Sequence, residues 1–320
     1  MLGLAVGDAL GTTVEFKAPG TFEPVTDLTG GGPFRLPAGA WTDDTSMALC
    51  LADSLIELED FNPVDQLTRY VSWWKEGHNS STGECFDIGI STGAALSLFE
   101  RTGEPYPGDA DQNAAGNAPI MRLAPVPLAY ASRPKEAIKY AALSARTTHG
   151  DRRAIDAARV LAWLLLSATY ELGKEKTLGD ACHSMIPDLS VPLLEGLAPL
   201  HPEVEEVAAG SYKHRHPPEI KGSGYIVRSL EAALWALYNT ETWEEGALAA
   251  VNLGDDADTT AAIYGQLAGA IYGPQAIPER WLEKLVMREE IEARADTLFK
   301  LMVRNDLRAA GMDPDKMSYP

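Results

Sequence analysis

The sequence predicts an all-α fold, and three observations carry that expectation. Apolar residues recur at helical spacing through most of the 320 residues, and strand-like alternation is nearly absent. Pro and Gly gather in connectors at 18–39, 103–119, 187–202 and 215–224. With 45% hydrophobic residues the chain can bury a sizeable core. No low-complexity linker and no helical-repeat period divides it, so one domain over 1–320 is expected.

The elements follow in order. Gly3, Gly7 and Gly11 recur four apart in the first segment, which reads as close helix packing in a protein core rather than a membrane dimer face. Residues 43–58 place Met47, Leu51 and Leu55 on one helical face, with Thr42 as the expected cap. Asn62-Pro63 is a cap followed by a first-turn proline, opening a helix over 63–76 that Gly77 ends. Further helices are expected at about 88–101, 118–131, 134–146, 151–172, 177–186, 224–239, 242–252, 256–272 and 288–310. The glycine run Gly30-Gly31-Gly32 lacks the Gly-Lys-Ser/Thr of a phosphate-binding loop and reads as a flexible connector or lid.

Composition bounds the function. The net charge of −19 opposes binding to nucleic acid and to anionic membrane surfaces. The three cysteines, Cys50, Cys85 and Cys182, are widely spaced and form no CxxC, which suits small apolar thiols in a reducing cytoplasm. The N-terminal stretch has no basic region and meets Asp8 early, so no signal peptide is expected. No apolar run reaches membrane-spanning length.

Two acidic clusters stand out. The first is Trp41-Thr42-Asp43-Asp44-Thr45 and the second is Asn252-Leu253-Gly254-Asp255-Asp256-Ala257-Asp258-Thr259-Thr260. Each falls where a long apolar helix begins. No Lys or Arg lies between Arg35 and Arg69, nor between Arg228 and Arg280. Asp and Thr at a helix start often serve as caps. A cap uses one side chain, however, and three carboxylates in four residues repel beyond what a helix dipole calls for. If the clusters meet, a cation must compensate them, and ligands that are all oxygen select a hard divalent ion such as Mg²⁺, Mn²⁺ or Ca²⁺.

Further residues fall in a recognisable order. Gly7-Asp8-Ala9-Leu10-Gly11 is followed by Glu15, then by the first acidic cluster, Gly116-Asn117 with Met121-Arg122, Thr148-His149-Gly150, and the second cluster. This pattern resembles the ADP-ribosylglycohydrolase family, including the dinitrogenase reductase-activating and ADP-ribosylarginine hydrolases, over essentially the whole chain. The resemblance implies an all-α orthogonal bundle with two divalent ions, Mg²⁺ or Mn²⁺, in a cleft. It implies Thr42, Asp43, Asp44, Asp256, Asp258 and Thr259 as ligands, with Glu15 beside the metals. It implies that Asp87, in Cys85-Phe86-Asp87-Ile88-Gly89, lies over the bound ribose. Gly116 and Asn117 match a loop around the diphosphate, His149 lies near the same substrate, and Tyr225 lines the nucleotide side. Asp255 stands where the family often has a second glycine, as either an outer acid or a surface residue.

Cleavage at C1″ of ADP-ribose passes through an oxocarbenium-like transition state that carboxylates stabilise. Glu15 and Asp87 are the candidate acid and base, and Asp44 is counted with them as catalytic. Taken without the family, Glu15 reads as a solvated helix-end carboxylate, Asp87 as a helix cap and His149 as a capping donor. The expected activity is release of ADP-ribose from a modified protein, arginine-linked above all. That protein is either a transferase target or the transferase itself. The alternative is a non-catalytic protein that occludes an ADP-ribosyltransferase toxin, for which the 18–39 connector is the available arm.

Overall fold

In the computed structural model, which describes residues 1–172, 198–309 and 311–312, the described chain is built from helices and three isolated bridges, with no extended strand. In order these are α1 (Leu2–Gly11), α2 (Asp43–Leu58), α3 (Pro63–Glu76), α4 (Ile90–Thr102), α5 (Ala118–Met121), α6 (Pro125–Ala129) and α7 (Pro134–Arg146). They continue with α8 (Arg152–Leu172), α9 (Pro202–Ala208), α10 (Ile226–Tyr238), α11 (Trp243–Val251), α12 (Ala257–Tyr272), α13 (Glu279–Leu282) and α14 (Arg288–Ala309). The all-α expectation holds. The helix expected over 177–186 and Cys182 lie outside the described residues.

Local rules account for most boundaries. Asn62 accepts from the backbone N–H of Val64 and Asp65 with Pro63 in the first turn, and Gly77 closes α3 in a left-handed conformation. The single helix expected over 118–131 is instead two short ones, α5 and α6. Pro125 and Pro127 supply no N–H to a continuous ladder, and Arg122, at the break, is wholly buried. Sequence spacing missed α9 and α13. α9 opens inside the expected connector, where His201 accepts from Glu203 N ahead of Pro202.

The centre of the fold is an unusually close crossing. A Cβ on Gly3 would stand 2.1 Å from the Gly265 carbonyl oxygen, and one on Gly7 would stand 2.1 Å from that of Ala261. One on Gly11 would stand 2.3 Å from the Asp258 Cα. As the number rises along α1 it falls along α12, so the two helices run antiparallel with backbones in contact. The end of α1 therefore meets the start of α12. Both helices are buried almost throughout. The core reading of the three glycines holds.

The glycine-rich connector is packed rather than loose. Gly31 and Leu36 exchange backbone hydrogen bonds of 2.8 and 3.0 Å, and a Cβ on Gly32 would stand 1.8 Å from the Thr12 carbonyl oxygen. Farther back, Val25 exchanges two hydrogen bonds with the Asn252 amide, and Lys284 donates to Leu28 O. The 18–39 segment is thereby tied to the body of the protein, which counts against both a lid and a free occluding arm.

The crossing makes a quantitative prediction. Gly7→Ala puts a methyl group against backbone that has no rotamer with which to yield, and should destabilise the fold by roughly 2–3 kcal/mol or more. Gly269→Ala, at the open end where the nearest atom to a Cβ is 3.7 Å away, should be neutral or stabilise slightly. Denaturant unfolding of the two variants checks this, and equal effects would mean that the crossing is not close.

Candidate active site

The antiparallel crossing brings both acidic clusters to one end. α2 and α12 start there, and both first turns are buried. Neither Thr42 nor Asp256, the residues at the two cap positions, makes a side-chain cap. Thr42 occupies the cap position of α2 without making a side-chain cap, which corrects the expected role. Asp8, from α1, does the capping. It accepts from the backbone N–H of Thr42 and Thr45 at 2.9 and 3.0 Å, and from their hydroxyls at 2.9 and 2.6 Å. At α12 the same task falls to Glu15, which accepts from Ala257 N at 2.8 Å and Asp258 N at 3.3 Å. Two acids from the N-terminal segment thus take most of this duty, although Asp258 Oδ1 still accepts from Thr259 N at 2.7 Å.

Those carboxylates face each other. Thr42 Oγ1 lies 2.9 Å from Asp8 Oδ1, and 3.4 Å from both Asp44 Oδ2 and Asp258 Oδ2. A hydroxyl carries one proton, so it can donate to only one of three acceptors. Thr259 Oγ1 lies 3.3 Å from Asp44 Oδ2, which joins the two clusters a second time. Asp44 Oδ1 is buried with no hydrogen-bond partner, and Asp44 is 1% exposed. Glu15, Asp256 and Asp258 each offer an oxygen, all within 4.8 Å of one another. The group has more acceptors than protons, which suits a divalent ion bound by oxygen. Thr42, Asp44, Asp258 and Thr259 are linked oxygen to oxygen across the two clusters, and Asp256 joins Asp258 and Glu15.

Burial sets the electrostatics. It pushes Asp43, Asp44 and Asp258 well above the usual carboxylate range, with the neighbouring acids adding to the shift. Asp256 is raised by burial while Asn117 and Thr259 pull it back. Arg122 is the cation that sequence proximity does not reveal. It is wholly buried, donates to Thr148 Oγ1 at 2.6 Å and lies over the Tyr70 ring at 4.8 Å. One arginine cannot offset Asp8, Glu15, Asp43, Asp44, Asp87, Asp256 and Asp258 together.

The remaining sequence candidates gather around this group. Glu15 is buried, not solvated. Asp87 does not cap α4, whose cap is Gly89; it is half-buried and left-handed at φ 60°. Asn117 donates to Asp256 Oδ2 at 3.0 Å and Ser229 Oγ at 2.9 Å. Its loop pairs with the segment before α10, through Asn117 N to Gly224 O and Ile226 N to Ala115 O, with Gly116 opposite Tyr225. A Cβ on Gly116 would stand 2.8 Å from His149 Nε2, so glycine lets this loop close over the ring. His149 is buried and its pKa is lowered to about 3, by burial first and Arg122 second, so it is neutral. Its Nδ1 is 2.9 Å from Thr148 Oγ1. Tyr225 is half-buried beneath Arg153 and donates to Glu203.

Sequence reasoning gave Asp8 and Arg122 no role, although a lone acid in an otherwise apolar helix is a signal that could have found Asp8. Asp255 is a turn residue at φ 52°, tied through its backbone to Phe16 and Lys17. Burial and nearby carboxylates push the Cys85 thiol to about 11, which fits packing rather than nucleophilic chemistry.

Known proteins resemble this chain over most of its length. A sequence model described as ADP-ribosylglycohydrolase matches residues 1–308. A Pseudomonas putida (strain GB-1) protein named ADP-ribosylarginine hydrolase Tri1 is 41% identical over 299 residues, covering 93% of this chain and 76% of that protein. The ADP-ribosyl-[dinitrogen reductase] glycohydrolase of Rhodospirillum rubrum is 32% identical over 304 residues, covering 92% and 91%. A solved structure titled ADP-ribosylglycohydrolase-related protein complex superposes with a TM-score of 0.79 at 47% identity, covering 94% of this chain and 95% of that one.

The carboxylate group predicts how stability depends on pH. Glu15 is raised to about 8, by burial and then Asp256, and Asp87 to about 7 by the same causes. Asp8 is raised to about 6 by burial. In each case the folded protein holds the proton more tightly than the unfolded chain, whose carboxyls titrate near ~4. The stability cost is therefore absent below about pH 4 and accrues as pH rises through about 8. Chelated protein should melt lower at alkaline than at mildly acidic pH, and Mg²⁺ or Mn²⁺ should narrow the difference. A melting temperature of the chelated protein that is flat across this window would contradict the clustering.

Proposed function

Because the chain belongs to the ADP-ribosylglycohydrolase family, hydrolases of the glycosidic bond of ADP-ribose, we propose that it releases ADP-ribose from modified arginine side chains of proteins. The names of the relatives support the arginine and protein parts of this reading. The observation that carries it is the meeting of Thr42 and Asp44 with Asp258 and Thr259, more than two hundred residues apart in sequence, around an acceptor oxygen that no protein donor satisfies.

In this reading Thr42, Asp43, Asp44, Asp256, Asp258 and Thr259 hold two divalent ions, Mg²⁺ or Mn²⁺. When bound, these ions supply positive charge for the cis hydroxyls of the ribose and acidify a water molecule. The protein's own residues do the rest. Glu15 and Asp87, with values near neutrality before a cation binds, are suited to move a proton between water and the leaving guanidine. Asp44 contributes to the same charge, which favours the oxocarbenium-like transition state. Asn117 fixes Asp256 while its loop offers backbone to the diphosphate, neutral His149 backs that loop, and Tyr225 borders the nucleotide side. The partner is an ADP-ribosylated protein, either a transferase target or the transferase. No helix among the described residues is long and apolar enough to cross a membrane, and a cytoplasmic setting fits the thiols. The occluding alternative is not favoured, since the relatives are named as hydrolases and the 18–39 segment is pinned.

Two measurements test the reading. Free ADP-ribose should appear from an arginine-linked substrate, stop with EDTA and resume with Mg²⁺ or Mn²⁺; full turnover in chelated protein would overturn it. Asp43→Ala and Asp256→Ala should each weaken metal binding, and the double variant should lose less than the sum of the two, because both serve one centre. Strict additivity in calorimetry would make the clusters separate sites.

A further inference from the structure

Three phenylalanines form a feature that the hydrolytic machinery does not use. Phe16 follows Glu15 in the chain, and Phe86 precedes Asp87. Phe34 lies between their rings, 6.2 Å from Phe16 edge-on and 5.3 Å from Phe86 at a tilt. The rings therefore bridge the two loops that carry the candidate acid and base. Phe16 is 65% exposed although it is large and apolar. It is also held at φ 61°, a left-handed conformation that a bulky side chain adopts at a cost. Its backbone is pinned there by Phe16 N to Asp255 O at 2.7 Å and Asp255 N to Lys17 O at 2.8 Å. Packing does not account for an aromatic ring strained into solvent, since Phe16 contributes little to the core. An exposed ring next in the chain to a carboxylate is suited to receive a cation.

The arginine-linked substrate supplies one. Its guanidinium stays charged and planar after modification, and it must lie at the mouth of the site once the ribose is seated inside. Aromatic faces attract guanidinium, and arginine is their commonest cationic partner. Among the described residues the protein's own cations lie over other rings, such as Tyr70, Tyr106 and Tyr225. The acids next to this cluster in the chain, Glu15 and Asp87, favour the same charge.

We propose that Phe16, Phe34 and Phe86 form the acceptor subsite, which holds the guanidinium and methylene stem of the modified arginine while the bond is cleaved. The proposal rests on the arginine-hydrolase reading and deepens it, because it makes these rings the residues that select arginine over an uncharged acceptor such as serine. They are specificity residues; the proton transfers stay with the carboxylates.

The test uses the full-length protein with Mg²⁺ or Mn²⁺ and an arginine-linked ADP-ribosyl peptide, with a serine-linked one beside it. Phe16→Leu keeps apolar bulk and removes the ring; Phe16→Tyr keeps the ring. Phe16→Leu should raise KM for the arginine-linked peptide about three- to tenfold, with kcat little changed. It should leave the affinity for free ADP-ribose and the melting temperature unaltered, and shift the serine-linked peptide less. Phe16→Tyr should behave as the unsubstituted protein. An unsubstituted protein that releases nothing from the arginine-linked peptide overturns the hydrolase reading and this proposal with it. An active protein whose arginine KM is unmoved by Phe16→Leu overturns this proposal alone. So does a variant that loses ADP-ribose affinity in step with KM, since the ring would then serve the nucleotide side.

Discussion

The contact of α1 with α12 is the constraint from which the rest follows. Gly3, Gly7 and Gly11 let two backbones touch, and that contact fixes where the first turn of α12 stands relative to Asp8 and Glu15. A wider crossing would carry Glu15 away from Ala257 N and Asp258 N, leaving buried donors unsatisfied. The helix starts would then claim their own acids as caps. Close packing at one place thus decides what a carboxylate several turns away is available to do.

This arrangement separates two tasks that helix starts usually merge. Aspartate at a first turn normally complements the dipole and an orphan N–H. Here most of the complementing acids come from another element, and the local acids crowd one another. The result is unfavourable in isolation, as the raised values of Asp43, Asp44 and Asp258 show. Arg122 answers part of the charge from behind, through its place against Tyr70 and Thr148. The rest of the deficit is what makes the place suitable for cations and for a substrate that develops positive charge.

Much of this was legible in the sequence. The helical period, the punctuation at Asn62-Pro63 and Gly77, and the two acidic clusters are local signals, and each led to the element or grouping observed. Other features depend on distant partners and were hidden. Thr42 looked like a cap because local rules cannot see that Asp8 takes the role. Glu15 looked solvated because its partners, Ala257 N and Asp258 N, are over two hundred residues away. Arg122 lay inside a run expected to be one helix, so its burial at the break between α5 and α6 had no precursor in the pattern. The glycine loop at 30–32 looked mobile because its anchor, Thr12, lies on another element.

The pairing of α1 with α12 also has a consequence during synthesis. Leu2–Gly11 is made before its partner Ala257–Tyr272, which emerges only after some 240 intervening residues. Contacts so far apart in the chain close late and slowly. Until then the glycine face of α1 lacks the helix it packs against, and Glu15 lacks the helix start it caps. A nascent chain arrested before α12 would thus hold both N-terminal acids and the first cluster without the element that organises them, in a state open to aggregation and to chaperone capture. The acidic group therefore assembles only once α12 has been made, because Asp258 and Thr259 complete it.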